Sequence, residues 1–325
     1  MEREGVMERE GFSRASDVVV VRDVVKRFGT TTALDKVSCT IRRGEAFGFI
    51  GPDGGGKTTL FRILATLLVP DGGSARVLGR DVVRDLWELR RHVGYMPGRF
   101  SLYPDLSVDE NLRFFASVFG TTVERERARI APIYDQLAPF ADRRAGALSG
   151  GMKQKLALCC ALVHRPEILL LDEPTTGVDA VSRREFWDML AGFKSSGLTT
   201  VVSTPYMDEA NRCDRVALIQ GGRLLAIDPP AAIAKSFDRP LFAVRVGRRY
   251  DALRAAREYA HANSVYPFGE TLHYTDKRVD APPEQIGREV EAHFRSRGFE
   301  DVDVQQTAAT VEDVFMARMG AAAAA

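Results

Sequence analysis

Nine residues, Gly51-Pro-Asp-Gly-Gly-Gly-Lys-Thr-Thr59, constrain this chain more than any other stretch. They fit G-x-x-x-x-G-K-[ST], with Gly51, Gly56, Lys57 and Thr58 on the fixed positions. The physical reading is a cradle for phosphate. Glycines let backbone N–H groups converge on an anion, a lysine reaches the outer phosphate oxygens, and a threonine hydroxyl faces a divalent cation. Pro52, Asp53, Gly54, Gly55 and Thr59 complete the loop. Ala46 to Ile50 just before it is apolar and of strand length, and Leu60, Ile63, Leu64, Leu67 and Leu68 just after it recur at helical spacing. The loop is therefore expected between a buried strand and a helix N-terminus.

The 325 residues suffice for one large domain and a smaller one. Lys and Arg (45) nearly balance Asp and Glu (44), so no overall basic field attracts nucleic acid. The four cysteines, Cys39, Cys159, Cys160 and Cys213, form no C-x-x-C pair and read as reduced core residues. No run approaches about 18 apolar residues, so no membrane span is expected. Residues 1–16 read as a flexible charged leader without the apolar core of a signal peptide.

Along the chain, Val18–Val21 and Val37–Ile41 alternate as strands. From about residue 85 to 165 the pattern is helical, with a capping box at Ser107-Val-Asp-Glu110 and a stop at Gly120. Ile168–Leu171 is a continuous apolar run, as in a strand covered on both faces, and Thr199–Ser203 follows a helix as the next strand. Arg215–Ile219, Gly221-Gly222 and Arg223–Ile227 read as a hairpin. An α/β nucleotide-binding domain is thus expected over 17–236. Residues 237–319 then spell β-α-β-β-α-β, a ferredoxin-like α+β order. Residues 320–325, Gly followed by alanines, are expected as a disordered or irregular tail.

Asp172 ends the run Ile168–Leu171, which places its carboxylate at the C-terminal sheet edge where such folds bind ligands. It is a candidate Mg²⁺ holder together with Thr58. Glu173, the next residue, is a candidate general base for the attacking water, a role worth about 10²–10⁴-fold. Ser149, Gly150 and Gly151 offer a hydroxyl and free N–H groups at a helix N-terminus, a second anion site. The pair Asp208-Glu209 reads as a solvated helix start. The five histidines show no metal-ligand spacing.

Leu148-Ser-Gly-Gly, between the phosphate loop and Leu169-Leu-Leu-Asp-Glu-Pro-Thr175, resembles the signature of ABC-type ATPases, and the order of motifs fits that family over roughly 17–230. The resemblance implies a P-loop NTPase cassette of mixed sheet plus helical subdomain, with ATP and Mg²⁺ as ligands. It implies Lys57 and Glu173 in catalysis, Phe28 stacked on adenine, and Asp179 in the loop Gly177-Val-Asp179 at the interface. It also implies that Ser149 to Gly151 serve the nucleotide of a second cassette in an ATPase dimer, and that transmembrane permease subunits are partners. Tyr95-Met-Pro, Phe100 to Val108 and Val311-Glu-Asp-Val-Phe315 resemble wording of the multidrug and polysaccharide export type. Two positions depart from the pattern. Gly98 stands where the family has a glutamine that meets the metal and the permease, and Pro205 where it has a histidine for the γ-phosphate. Glycine has no side chain and proline no donor, so neither makes the expected contact, and Arg99, Thr204 and Tyr206 are the candidates to compensate.

Overall fold

The computed structural model describes residues 16–324, with side chains to 319. The expected leader lies outside the described residues apart from its last position. By its internal contacts the chain divides into two units, the first ending at Pro230 and the second starting at Ala231.

The first unit begins with an antiparallel layer. Strands β1 (Asp17–Phe28) and β2 (Thr31–Arg42) pair along most of their length. Strand β3 (Ala46–Ile50) is buried at every residue and feeds the phosphate loop, which opens helix α1 (Lys57–Leu64). This helix is shorter than the leucine spacing predicts. Ala65 caps it and Thr66 takes a left-handed φ of 62°, so Leu67 and Leu68 fall outside. Strands β4 (Gly72–Val77) and β5 (Arg80–Asp81) then complete the sheet β2-β1-β4-β5. Glycine and serine dilute β4, which is why its pattern does not read as a strand.

The segment expected to be helical opens with α2 (Leu86–His92) but also contains β6 (Val93–Met96), which joins the core sheet beside a later strand. Four residues are too few to show a period against helical neighbours. Helices α3 (Val108–Val118), α4 (Val123–Leu137) and α5 (Gly150–Leu162) follow. The capping box of α3 is present: Glu110 N donates to Ser107 Oγ at 3.2 Å and Ser107 N to Glu110 Oε2 at 2.7 Å.

Strand β7 (Ile168–Asp172), helix α6 (Ala180–Ser195), strand β8 (Thr199–Thr204) and the hairpin β9 (Arg215–Gln220) and β10 (Arg223–Asp228) close the unit. The core sheet runs β10-β9-β3-β8-β7-β6, with β3, β8, β7, β6 and β9 parallel. Its register aligns Ile50 with Thr204 and Asp172 with Ser203, so the phosphate loop and Asp172 leave the sheet at one edge. The expectation for Asp208-Glu209 needs correction. Asp208 is exposed, but Glu209 is buried with neither carboxylate oxygen hydrogen-bonded, its nearest counter-charge being Arg183 Nε at 3.9 Å.

In the second unit, α7 (Pro230–Lys235) crosses the division. Then β11 (Leu241–Val246), α8 (Arg249–Arg257), β12 (Ala262–Phe268), β13 (Thr271–Asp276), α9 (Pro283–Ser296) and β14 (Val302–Thr307) follow the expected order. All pairings are antiparallel in the spatial order β12-β13-β11-β14, the split β-α-β arrangement of a ferredoxin-like sheet. Phe242, Val244, Leu272 and Tyr274 pack with Ile286, Val290 and Phe294 of α9. Helix α10 (Val311–Ala324) takes in most of the alanine tail.

Candidate nucleotide site

The loop between β3 and α1 takes its shape from glycine. Gly56 caps α1 with φ of 101°, and a Cβ there would lie 2.5 Å from the Ala33 carbonyl, so only glycine lets this turn close. No side chain caps the helix, and its first N–H groups are left for an anion.

Lys57 is almost wholly buried. Its Nζ donates to the Gly51 carbonyl at 2.8 Å and the Pro52 carbonyl at 3.0 Å, and sits 3.1 Å from Glu173 Oε1 and 3.9 Å from Asp53 Oδ1. The loop thus bends its own carbonyls onto the lysine and holds the ammonium in place. Thr58 Oγ1 donates to Asp172 Oδ1 at 3.1 Å. Four of the sequence-derived residues, Lys57, Thr58, Asp172 and Glu173, therefore meet in one cluster.

Ser203 is the residue that sequence reasoning missed. Fully buried at the end of β8, it donates from Oγ to Asp172 Oδ1 at 2.6 Å and accepts from Glu173 N at 2.9 Å. One hydroxyl fixes both acids. The available signal was a serine near the end of a wholly buried strand, Thr199–Thr204, next to the strand that ends in Asp172. Glu173 itself has φ of 50°, a left-handed turn that aims its side chain back toward Lys57. Burial pushes the Asp172 carboxyl above its ordinary range, the Ser203 and Thr58 hydroxyls pull it back, and the Glu173 charge adds to the rise.

A second group forms around α5. Ser149 caps this helix, its Oγ accepting from Met152 N at 3.3 Å, while Gly150 and Gly151 open its first turn. Gly151 lies against Ser182, whose hydroxyl donates to Asp179 Oδ2 at 2.7 Å. Asp179 in turn caps α6, accepting from Val181 N and Ser182 N at 3.0 Å each. Phe28 ends β1 with 52 % of its surface exposed, its ring free apart from Lys26 Nζ at 5.5 Å.

Magnesium fits the donor set. A hydroxyl and one carboxylate are hard oxygen donors, and among the described residues no cluster of three or more His, Cys, Asp or Glu could form a full protein cage. Mg²⁺ takes few protein ligands and completes its shell with phosphate and water, where it neutralises charge on the phosphates.

The sequence profile of the ABC transporter family matches residues 34–176. The probable multidrug ABC transporter ATP-binding protein YbhF of Escherichia coli is 43 % identical over 215 residues, which are 66 % of this chain and 37 % of that protein. The daunorubicin resistance ATP-binding protein DrrA3 of Streptomyces coeruleorubidus is 33 % identical over 311 residues, 93 % of this chain and 96 % of its own length. The chain belongs to the ATP-binding proteins of ABC transporters. It spans little more than a third of YbhF but nearly all of DrrA3, which includes the second unit. Among solved structures, the dimeric post-hydrolysis state of the cassette MJ0796 bound to ADP and Pi aligns over 65 % of this chain and 98 % of its own, at 26 % identity and TM-score 0.59. The fold is accordingly the ABC-type P-loop cassette.

The two positions expected to depart from the family pattern, Gly98 and Pro205, lie close to this cluster. Gly98 lies so close to β7 that a Cβ would be 3.0 Å from the Asp172 carbonyl and 3.5 Å from Glu173 Cβ. Pro205 follows Thr204, whose carbonyl accepts from Gly51 N at 3.3 Å, so it adjoins the phosphate loop. Two of the three candidate substitutes are engaged elsewhere: Thr204 Oγ1 accepts from Tyr206 N at 3.0 Å, and the Tyr206 ring lies 4.7 Å from the Arg183 guanidinium. Arg99 is exposed.

Proposed function

We propose that the chain is the ATP-binding and ATP-hydrolysing subunit of an ABC exporter and drives transport through a separate transmembrane permease. The observation that carries this is the single cluster of Lys57, Thr58, Asp172, Glu173 and Ser203 at the mouth of the glycine loop. Lys57 would hold phosphate, Thr58 and Asp172 would hold Mg²⁺, which would neutralise phosphate charge, and Glu173 would orient the attacking water and take its proton. Relatives named as a probable multidrug ABC transporter ATP-binding protein and a daunorubicin resistance ATP-binding protein support the export class. Among the described residues no helix is long and apolar enough to cross a membrane, so the work on cargo falls to a permease that holds this subunit at the inner membrane face. The dimeric state of MJ0796 supports an ATPase dimer in which Ser149, Gly150, Gly151 and Asp179 complete the partner's site. We assign 17–236 to the cassette and 237–319 to an accessory domain.

Mg²⁺-ATP turnover of the purified chain beside Glu173→Gln, with nucleotide binding followed on both, tests this reading. Turnover that falls by about 10²-fold or more with binding retained supports it. Equal turnover in the two proteins refutes it.

Gly98 and Pro205 favour a second reading, in which this chain's own site is slow and a different cassette, completed by Ser149 to Gly151, supplies the faster one. In that case Pro205→His raises the turnover of the homodimer. Gly98→Gln raises it only if the Asp172 backbone gives by a few tenths of an ångström, since its Cβ would lie 3.0 Å from that carbonyl. Turnover unaltered by Pro205→His counts against it.

A further inference from the structure

The group outside the nucleotide cluster that most calls for a reason is the carboxyl of Glu209. It lies in the 3₁₀ turn Met207–Arg212 that follows β8, is 3 % exposed, and has neither oxygen hydrogen-bonded. Burying a carboxylate without partners costs stability, so folds seldom keep one without a use. Its neighbour Cys213 offers no positive charge: burial pushes that thiol up to about 12, and the charge of Glu209 adds to the rise.

The cation beside Glu209 is Arg183, near the start of α6. Its guanidinium lies 4.7 Å from the Tyr206 ring, its Nη2 is 3.7 Å from Asp208 Oδ2, and its Nε is 3.9 Å from Glu209 Oε1. Both acid distances exceed hydrogen-bond length, so Arg183 stands between an exposed carboxylate and a buried one and closes on neither. Trp187, one turn further along α6, likewise has its Nε1 buried without a partner. The helix thus carries unused donors, and the turn carries unused acceptors.

Both sides lead to functional groups. Glu209 N donates to the Tyr206 carbonyl at 3.3 Å, Tyr206 N to Thr204 Oγ1 at 3.0 Å, and the Thr204 carbonyl accepts from Gly51 N of the phosphate loop at 3.3 Å. On the helix side, Arg183 N donates to the Asp179 carbonyl at 2.9 Å, and Ser182 lies against Gly151 at the start of α5. We infer that Glu209 is a positioning residue for ATP hydrolysis: during turnover it draws the Arg183 guanidinium inward by about 1 Å into a hydrogen-bonded pair, which holds the Thr204–Tyr206 segment against the phosphate loop. The pair acts where Pro205 supplies no donor of its own. The inference deepens the hydrolytic reading, which fails separately if Glu173→Gln retains full turnover.

Mg²⁺-ATP turnover and denaturant unfolding of the full chain test it in Glu209→Gln, Arg183→Met, Arg183→Lys and the double variant Glu209→Gln with Arg183→Met. Glu209→Gln keeps the shape and removes the charge, so turnover is expected to fall about tenfold or more at unchanged KM for ATP, while stability stays equal or rises. A residue kept for packing alone does not part these two readouts in that direction. Arg183→Met is expected to lose as much turnover, Arg183→Lys less, and the double variant no more than either single one. Turnover unchanged in Glu209→Gln, turnover and stability falling together in it, or two losses that multiply in the double variant overturn the inference.

Discussion

Two buried aspartates, one in each unit, show what separates a site from a fastening. Asp172 is 2 % exposed and Asp313 is fully buried. Asp172 receives only hydroxyls, from Thr58 and Ser203, and burial leaves its pKa raised. Asp313 feels the same burial, but His273 Nδ1 donates to it at 2.5 Å, Tyr266 OH at 2.6 Å, and Thr310 N and Oγ1 at 2.7 Å each. These bonds outweigh desolvation and bring its pKa down to about 2. The carboxylate that receives only two hydroxyls at a sheet edge is the one proposed above to take a cation, and the one with four hydrogen bonds pins a helix. Asp313 sits in the first turn of α10, so the cluster ties that helix to β12 and β13 through Tyr266 and His273.

The largest effect that separates the two is on turnover. Asp172→Asn is expected to lower Mg²⁺-ATP hydrolysis by about 10²-fold or more, because it removes the group that positions the metal. The same substitution is expected to leave the fold as stable or more stable at pH 7. A raised folded pKa means that ionising Asp172 costs stability as pH rises above the ordinary carboxylate range, and Asn relieves that cost. Asp313→Asn reverses both outcomes. Turnover is expected to stay at the wild-type level while the C-terminal unit loses about 2 kcal/mol, measured by denaturant unfolding, since hydrogen bonds to a buried charge are lost. Because the folded pKa is depressed, the contribution of Asp313 is complete above about pH 4 and disappears as pH falls through about 2, so the deficit of the variant shrinks over that interval. A deficit constant across it breaks the comparison.

The cassette was legible where chemistry demands particular residues at particular spacings. The phosphate loop, Asp172 and Glu173 stand out because few residue types serve those roles, and the buried strands around them are apolar on both faces. Ser203 was less visible, since it acts through register with Asp172 and register is a property of the sheet. Strands β4 and β6 were missed for local reasons, Gly and Ser dilution in one and brevity in the other. Leu67 and Leu68 were placed in a helix that Thr66 ends; freed from it, Leu67 is largely exposed. The C-terminal unit was legible as an order of elements, yet Asp313 was not legible as its pin. The partners His273 and Tyr266 lie 40 and 47 residues away, and no local pattern announces such a meeting. Glu209 failed for a similar reason, because exposure was read from charge alone.

The most direct test of the central claim, that Asp172 is completed by a divalent cation together with nucleotide, is thermal unfolding of wild type, Asp172→Asn and Asp313→Asn with ATP plus Mg²⁺ and with ATP plus chelator. A ligand at about 100 times its Kd stabilises the folded state by about 2.7 kcal/mol, which raises the melting temperature measurably. The account predicts a Mg²⁺-dependent rise in wild type and in Asp313→Asn, and little or none in Asp172→Asn. An equal Mg²⁺-dependent rise in Asp172→Asn would contradict it.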